Sequence, residues 1–351
     1  MKRPSVFAGT RNSHNTQRGV TLIELLVSIT IGMIIMVAVI GAYIGASGAG
    51  RTAEAIGRMN EDGQAALTIL SQQLRMAGVN PSQPDRNSVS FPTPGLLSAR
   101  GNTVPLHNSV TNAYAIRGCD LKFSDVTSAA STGVLTCGHG PASAGPDSIS
   151  IAYEADRYNT IPTGGGVPTD CMGSGITSSA ANYLKSDGVT AVAVNIYEAE
   201  NRFYIGTSTY VTNPTLYCKG NATANAQPLV ENIEDLQFTY GTVNTTATTS
   251  PIYVTVTPTF TTTLVLGYLK AYEIDTDTTT LPGPGGIGAP TAARWNSVKT
   301  IRICVLVRSE SQVADSIASA RYLDCSGTLV TTPPDRRLRR AFTTTVVLRN
   351  Q

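Results

Sequence analysis

Little in this chain offers ready chemistry. Histidine is scarce: the 351 residues contain three, His14, His107 and His139. None of them makes a metal-ligand pair, and Cys137-Gly138-His139 has no second pair to complete a site. A P-loop, a nucleophile elbow and a His-Glu-x-x-His helix are all missing, which argues against the hydrolases built on them. Cys-x-x-Cys is absent, so neither a zinc ribbon nor a thioredoxin-type centre is expected. No repeat of fixed period runs through the sequence. Charged residues amount to 14% and the formal charge is +2. Lys2, Arg3, Arg11 and Arg18 all precede Gly19 with no acid among them. Without residues 1–19, 22 basic side chains face 24 acidic ones, and a charge near −2 gives no footprint for nucleic acid. The expectation is a chain that is not an enzyme and holds no cofactor.

What the sequence does have is Arg18-Gly19-Val20-Thr21-Leu22-Ile23-Glu24-Leu25-Leu26, followed by apolar residues to about Ala46. A bilayer core of about 30 Å needs about 20 such residues in a helix. Glu24 is the one acid in the run. A carboxylate there is costly, which suggests a partner charge. A secretory signal has a shorter apolar region than this, although Ala46-Ser47-Gly48 has the look of a cut site. A plain membrane anchor leaves Glu24 unexplained.

The segment resembles the class III leader of type IV pilins. That resemblance implies cleavage by prepilin peptidase between Gly19 and Val20 and N-methylation of Val20. Glu24, the fifth mature residue, would meet the free Val20 amine of a neighbouring subunit as an assembly residue. Val20 departs from the phenylalanine usual in that family. The basic residues before Gly19 place the N-terminus in the cytoplasm and everything after Ala46 outside.

Gly41 to Gly50 is rich in glycine, so the helix either bends there or packs closely through small residues. From Arg51 the pattern turns amphipathic: Ile56, Met59, Gly63, Ala66, Leu67, Leu70, Leu74 and Ala77 share one face. Gly78, Val79 and Pro81 form a stop signal. The expected organisation is a leader over 1–19 and a stalk helix over 20–78, transmembrane at 20–46 and amphipathic at 47–78. A β-rich head occupies 79–351. Asn60-Glu61-Asp62-Gly63-Gln64-Ala65-Ala66, with Val230–Gly241, Val298–Arg308 and Arg340–Asn350, is similar to PilW-type minor pilins.

Alternating or β-branched runs at 148–153, 191–197, 253–257, 300–307 and 343–348 predict strands. Residues 80–110 and 275–297 read as loops, the latter holding the Gly- and Pro-rich stretch 280–290. The fold class is therefore α+β and pilin-like, a long N-terminal helix packed on an antiparallel sheet. Cys119, Cys137, Cys171, Cys218, Cys304 and Cys325 are even in number on the exported side, as in a disulfide-stabilised domain. Sequence leaves their connectivity open; sequential pairing, 119–137, 171–218 and 304–325, is the preferred reading.

Asp275-Thr276-Asp277 opens like a calcium loop but lacks its glycine and closing glutamate; a solvated turn is the alternative. Arg336-Arg337-Leu338-Arg339-Arg340 is the densest charge cluster. It reads as solvated or as paired with acids of a neighbouring subunit, ahead of contacts with DNA or phospholipid. Thr259-Phe260-Thr261-Thr262-Thr263 reads as an exposed strand face.

The resemblance implies a minor pilin that primes or caps the pilus with other minor pilins, the major pilin and a tip adhesin. Adhesion, twitching motility or DNA uptake would depend on it, without direct DNA binding. Its place would be the inner membrane before assembly and the pilus afterwards. Three alternatives remain: a GspJ-like minor pseudopilin of type II secretion, a tip adhesin acting through 80–110 and 275–297, and a membrane-anchored exported enzyme.

Overall fold

The computed structural model describes residues 19–79, 115–124, 126–127, 135–184, 191–208, 211–223, 225–243, 265–277, 292–295 and 297–349. The expected strand at 253–257, the loop at 80–110, His14, His107 and the threonine run at 259–263 lie outside them. The chain divides into two compact units, Met1–Ala53 and Glu54–Gln351.

Helix α1 spans Leu22–Met76. In the first unit it is helical through Gly41, Gly45, Gly48 and Gly50, and a Cβ added at any of the four meets nothing within 4 Å. Leu22, Ile23, Leu25 and Leu26, and the apolar side chains that follow to Ile44, are exposed. One stretch of α1 is long and apolar enough to cross a membrane.

In the second unit the helix buries Met59, Gly63, Ala66, Leu70 and Leu74. Steps of three and four residues hold these on one face. Ile56, expected on that face, is instead 41% exposed, one turn short of the buried stripe. Gly78 adopts φ +70°, a left-handed conformation that ends the helix cheaply only in glycine. Its N–H donates to the Ala152 carbonyl at 3.0 Å, and the Val79 carbonyl accepts from Glu154 N–H at 2.9 Å. The chain thus leaves the helix already tied to a strand.

One sheet has the order β1 (Ile116–Cys119), β2 (Ser148–Ala155), β4 (Ala191–Gly206), β5 (Thr215–Lys219), β6 (Gln227–Glu231), with β3 (Ser179–Leu184) paired to the first half of β4. The other runs β12 (Arg337–Val347), β9 (Val298–Gln312), β7 (Ile233–Val243), β8 (Val265–Leu269). Both are antiparallel throughout. A small hairpin pairs β10 (Tyr322–Leu323) with β11 (Leu329–Val330).

The core draws on Leu70 and Leu74 of the helix, Ile149 and Ile151 of β2, and Ile301, Ile303 and Val305 of β9. Strand β2 is buried at every position, because partners lie on both its edges and both its faces are covered. The 275–297 loop is corrected as well: it holds the end of α2 (Ala271–Thr276) and the short α3 (Ala292–Trp295).

Three disulfides join Cys119 to Cys137, Cys171 to Cys218 and Cys304 to Cys325, closing separations of 18, 47 and 21 residues. Loops of that length restrict the unfolded chain by about 3–4 kcal/mol each in the chain-entropy account. The third ties the β10–β11 turn, through Cys325, to the buried Cys304 of β9.

Candidate assembly site

Gly19, Val20 and Thr21 precede the first turn of α1, and all three are exposed. The Gly19–Val20 bond therefore lies in exposed chain ahead of the helix, where a peptidase can reach it. Thr21 caps the helix: its Oγ1 accepts from Glu24 N–H at 3.3 Å, and its carbonyl accepts from Glu24 and Leu25 N–H at 3.1 Å each. Thr21-x-x-Glu24 has capping-box spacing, a signal legible in the sequence and passed over there.

Between Leu22 and Ile40 the side chains able to hydrogen-bond are Glu24, Ser28 and Thr30. Ser28 Oγ donates to the Glu24 carbonyl at 2.7 Å, and Thr30 Oγ1 to the Val27 carbonyl at 2.9 Å. Such back-bonding is how a hydroxyl is satisfied where water is absent. The Glu24 carboxylate has no such partner among the described residues. It is the remaining polar group of an apolar helix, in its first turn, where the helix dipole favours a negative charge.

In the head, two candidates that the sequence kept apart meet. His139 Nε2 lies 3.1 Å from Asp275 Oδ2, both side chains fully buried. Asp120 N–H donates to His139 Nδ1 at 3.3 Å, so Nδ1 accepts and Nε2 carries the proton given to Asp275. Asp275 Oδ1 accepts from Trp295 Nε1 at 2.9 Å. Arg294 donates to the carbonyls of Ile274 and Asp275 at 3.1 and 2.8 Å. The Asp120 carboxylate accepts from Ala271 and Tyr272 N–H at 2.8 and 2.9 Å.

This set fixes α2 and α3 against β1. The solvated-turn reading of Asp275 is therefore corrected, since its side chain is buried and both oxygens are engaged. Asp277, at the C-terminal end of α2, is half-buried and its N–H donates to the Glu273 carbonyl at 2.8 Å. Cys119 and Cys137 lie within 4.8 Å of a His139 ring nitrogen, but both sulfurs are in their disulfide. Asp120 and Trp295, which sequence reasoning missed, carried no local signal; Asp120 is 151 residues from the amide it caps.

Burial sets the acid–base character elsewhere in the head. It pushes Asp147 well above the usual carboxylate range, although Asp147 Oδ2 accepts from Phe238 N–H at 2.7 Å. Glu198 is raised to about 8 by burial first, then by Glu154 and Glu200. Glu154 is its direct cross-strand partner, and like charges so placed repel.

The arginine run is also corrected. Arg339, with a side chain 1% exposed, grips Glu234 through Nε and through Nη2 at 3.0 Å, and Asp335 through Nη1 at 2.8 Å. Burial opposes its charge, but the bonds to Glu234 and Asp335 outweigh it and raise the guanidinium above its ordinary value. Arg337 donates to the Ser309 and Glu310 carbonyls, and Arg340 to Asn60 Oδ1 at 3.3 Å. The run faces the chain's own acids and carbonyls; Arg336 at its edge bonds Gln312 at 3.4 Å and is exposed.

Residues 14–40 match the family model of the prokaryotic N-terminal methylation motif. Residues 202–350 match that of type IV pilus-assembly protein W, a span from the middle of β4 past the end of β12. No curated protein and no solved structure gives a significant match. The methylation motif lies over the capped start of an apolar helix and the PilW match over the strands that bury its amphipathic part, and together the two matches support a PilW-type type IV pilin with a class III prepilin leader.

Proposed function

We propose that the chain is a minor pilin that works by binding and carries no enzymatic activity or cofactor. Prepilin peptidase cuts after Gly19 and Val20 is methylated. The protein waits in the inner membrane with its N-terminus cytoplasmic, then joins other minor pilins and the major pilin to prime or cap the fibre. A tip adhesin is a further partner on this reading.

The carrying observation is Glu24, the polar side chain of the Leu22–Ile40 helix left without a hydrogen-bond partner among the described residues, while Ser28 and Thr30 bond their own backbone. Cleavage creates an amine at Val20, and the Val20 amine of a neighbour supplies the missing opposite charge. Inside an apolar bundle such a pair is strongly favoured over either charge alone. The match to the pilus-assembly family supports a pilus over a secretion pseudopilus.

N-terminal sequencing and intact mass from cells with and without prepilin peptidase test this. Methylated Val20 as first residue, dependent on that enzyme, is expected. A start near Ala49, or an uncut Met1, would sink the reading.

A further inference from the structure

We propose that the head carries a saccharide-binding site at the end of the β4–β5 pair where the chain turns from one strand to the other, fitted to a sugar unit that bears a carboxylate. A cleft of about 440 Å³ lies there, lined by Tyr204, Ile205, Gly206 and Tyr217 of these strands with Lys122, Thr127, Thr207 and Pro214 around them. That volume is in the range of small-ligand sites, about 300–1,000 Å³.

The cleft is built rather than incidental. Tyr204 and Tyr217 are direct cross-strand partners, and their rings stack with centroids 5.7 Å apart and planes 17° apart. A Cβ added to Gly206 would stand 3.2 Å from each ring, so glycine is what lets both rings close beneath this end of the strand. Below them is a small core separate from the main one, made of Cys119, Phe123, Val126, Leu135 and Cys137. The Cys119–Cys137 disulfide staples it. A site held this way loses little freedom when a ligand arrives.

Its polar groups point to the ligand. Tyr217 is 6% exposed, yet its hydroxyl is buried without a hydrogen-bond partner among the described residues. A buried hydroxyl left dry destabilises a fold, and a ligand hydroxyl would satisfy it once a small shift of the Tyr217 ring opens it to the cleft. Thr127 and Thr207 add two exposed hydroxyls at the rim. Lys122 is exposed, with Nζ 5.7 Å from the centroid of the Tyr204 ring, and no acid pairs with it among the described residues.

A pyranose fits that pattern, with one C–H face for the apolar walls and a rim of hydroxyls for Tyr217 and the threonines. A carboxylate on the sugar answers Lys122. A cationic ligand would be repelled by the same lysine, and a wholly apolar one would leave the Tyr217 hydroxyl dry.

Saturation-transfer NMR on the full chain in a sugar-free detergent tests the proposal, with galacturonate and glucose as probes. Galacturonate should bind in the millimolar range, about tenfold tighter than glucose. Lys122→Ala should bring the two to parity without weakening glucose. Tyr217→Phe should weaken both by about tenfold while melting no lower than the parent chain.

The proposal is overturned by absence of transfer to either sugar at about 20 mM, by equal affinity for the two in the parent chain, or by a Lys122→Ala variant that binds galacturonate unchanged. A fall in the Tm of Tyr217→Phe would also overturn it, because the hydroxyl would then already have a partner within the fold. The pilus-assembly reading stands on Glu24 and the leader and is unaffected by any of these results.

Discussion

The two units of this protein treat charge in opposite ways. In the head, several buried carboxylates find their counterparts in the same chain. Asp120 accepts two backbone N–H groups, Asp275 holds His139 and Trp295, and Asp170 accepts from Met172, Ser174 and Ala222. In the apolar part of α1 the hydroxyls fold back on their own backbone, and Glu24 is left over. A charge answered within its own chain holds a fold together. A charge unanswered in an apolar setting implies a second molecule, since carrying it alone is costly.

The sharpest way to break that contrast is Glu24→Ala. Surface pili, counted by shearing or microscopy, should fall by more than tenfold, because a partner amine left unpaired in an apolar bundle costs about 3–5 kcal/mol. The head should melt as before. A head destabilised by this change, with assembly intact, would mean that Glu24 acts inside its own chain after all.

The next largest effect belongs to Arg339. Its removal leaves Glu234 and Asp335 without their shared partner. The full cost of breaking a buried pair is about 3–5 kcal/mol. Glu234 and Asp335 are about a quarter exposed, so solvent screening brings Arg339→Ala to about 2 kcal/mol in urea unfolding. Arg336→Ala, at the exposed end of the same run, should stay within about 0.5 kcal/mol. Equal effects at both positions would show that the run is not anchored through Arg339.

The head's acids also predict a dependence on pH. Glu198, raised to about 8, keeps its proton in the folded protein where the unfolded chain has released it. The folded state therefore binds more protons between about pH 5 and pH 8, and stability falls as pH rises through that window, by up to about 1.4 kcal/mol per unit. Burial of Asp147 works in the same direction. Urea melts of Glu198→Gln should show a flatter slope than the parent, and an unchanged slope would remove Glu198 from the account.

How much of this was legible in the sequence follows from distance along the chain. The helix, its buried stripe from Met59 and its stop at Gly78 rest on three- and four-residue spacing and on one left-handed glycine, all local signals. Strands β9 and β12 declared themselves by β-branched runs. The Asp120–His139–Asp275 set did not, because Asp275 lies 136 residues from His139 and meets it only once β1 and α2 are packed. The arginine run was half legible: Asp335 stands four residues before Arg339, in view, whereas Glu234 lies 105 residues away. Counting charges along the run made it look solvated, and its folded partners are what the count omits.

Gly63 brings the comparison down to the smallest expected effect and to a question of sign. In a helix interior, alanine is favoured over glycine by about 1 kcal/mol, so Gly→Ala in the exposed apolar half of α1, at Gly41 for example, should be tolerated. At Gly63 the added Cβ would fall 2.6 Å from Cδ2 of Phe342, and that ring, half-buried on β12 against the core, has to shift. Overpacking of this kind costs about 1–3 kcal/mol, more than the helix gains. Gly63→Ala should therefore destabilise the head by about 1 kcal/mol in urea unfolding. Gly63→Ala combined with Phe342→Leu, which makes room for the methyl, should lose less than the sum of the two single changes. A Gly63→Ala variant more stable than the parent would mean that the helix and β12 are not in close contact there.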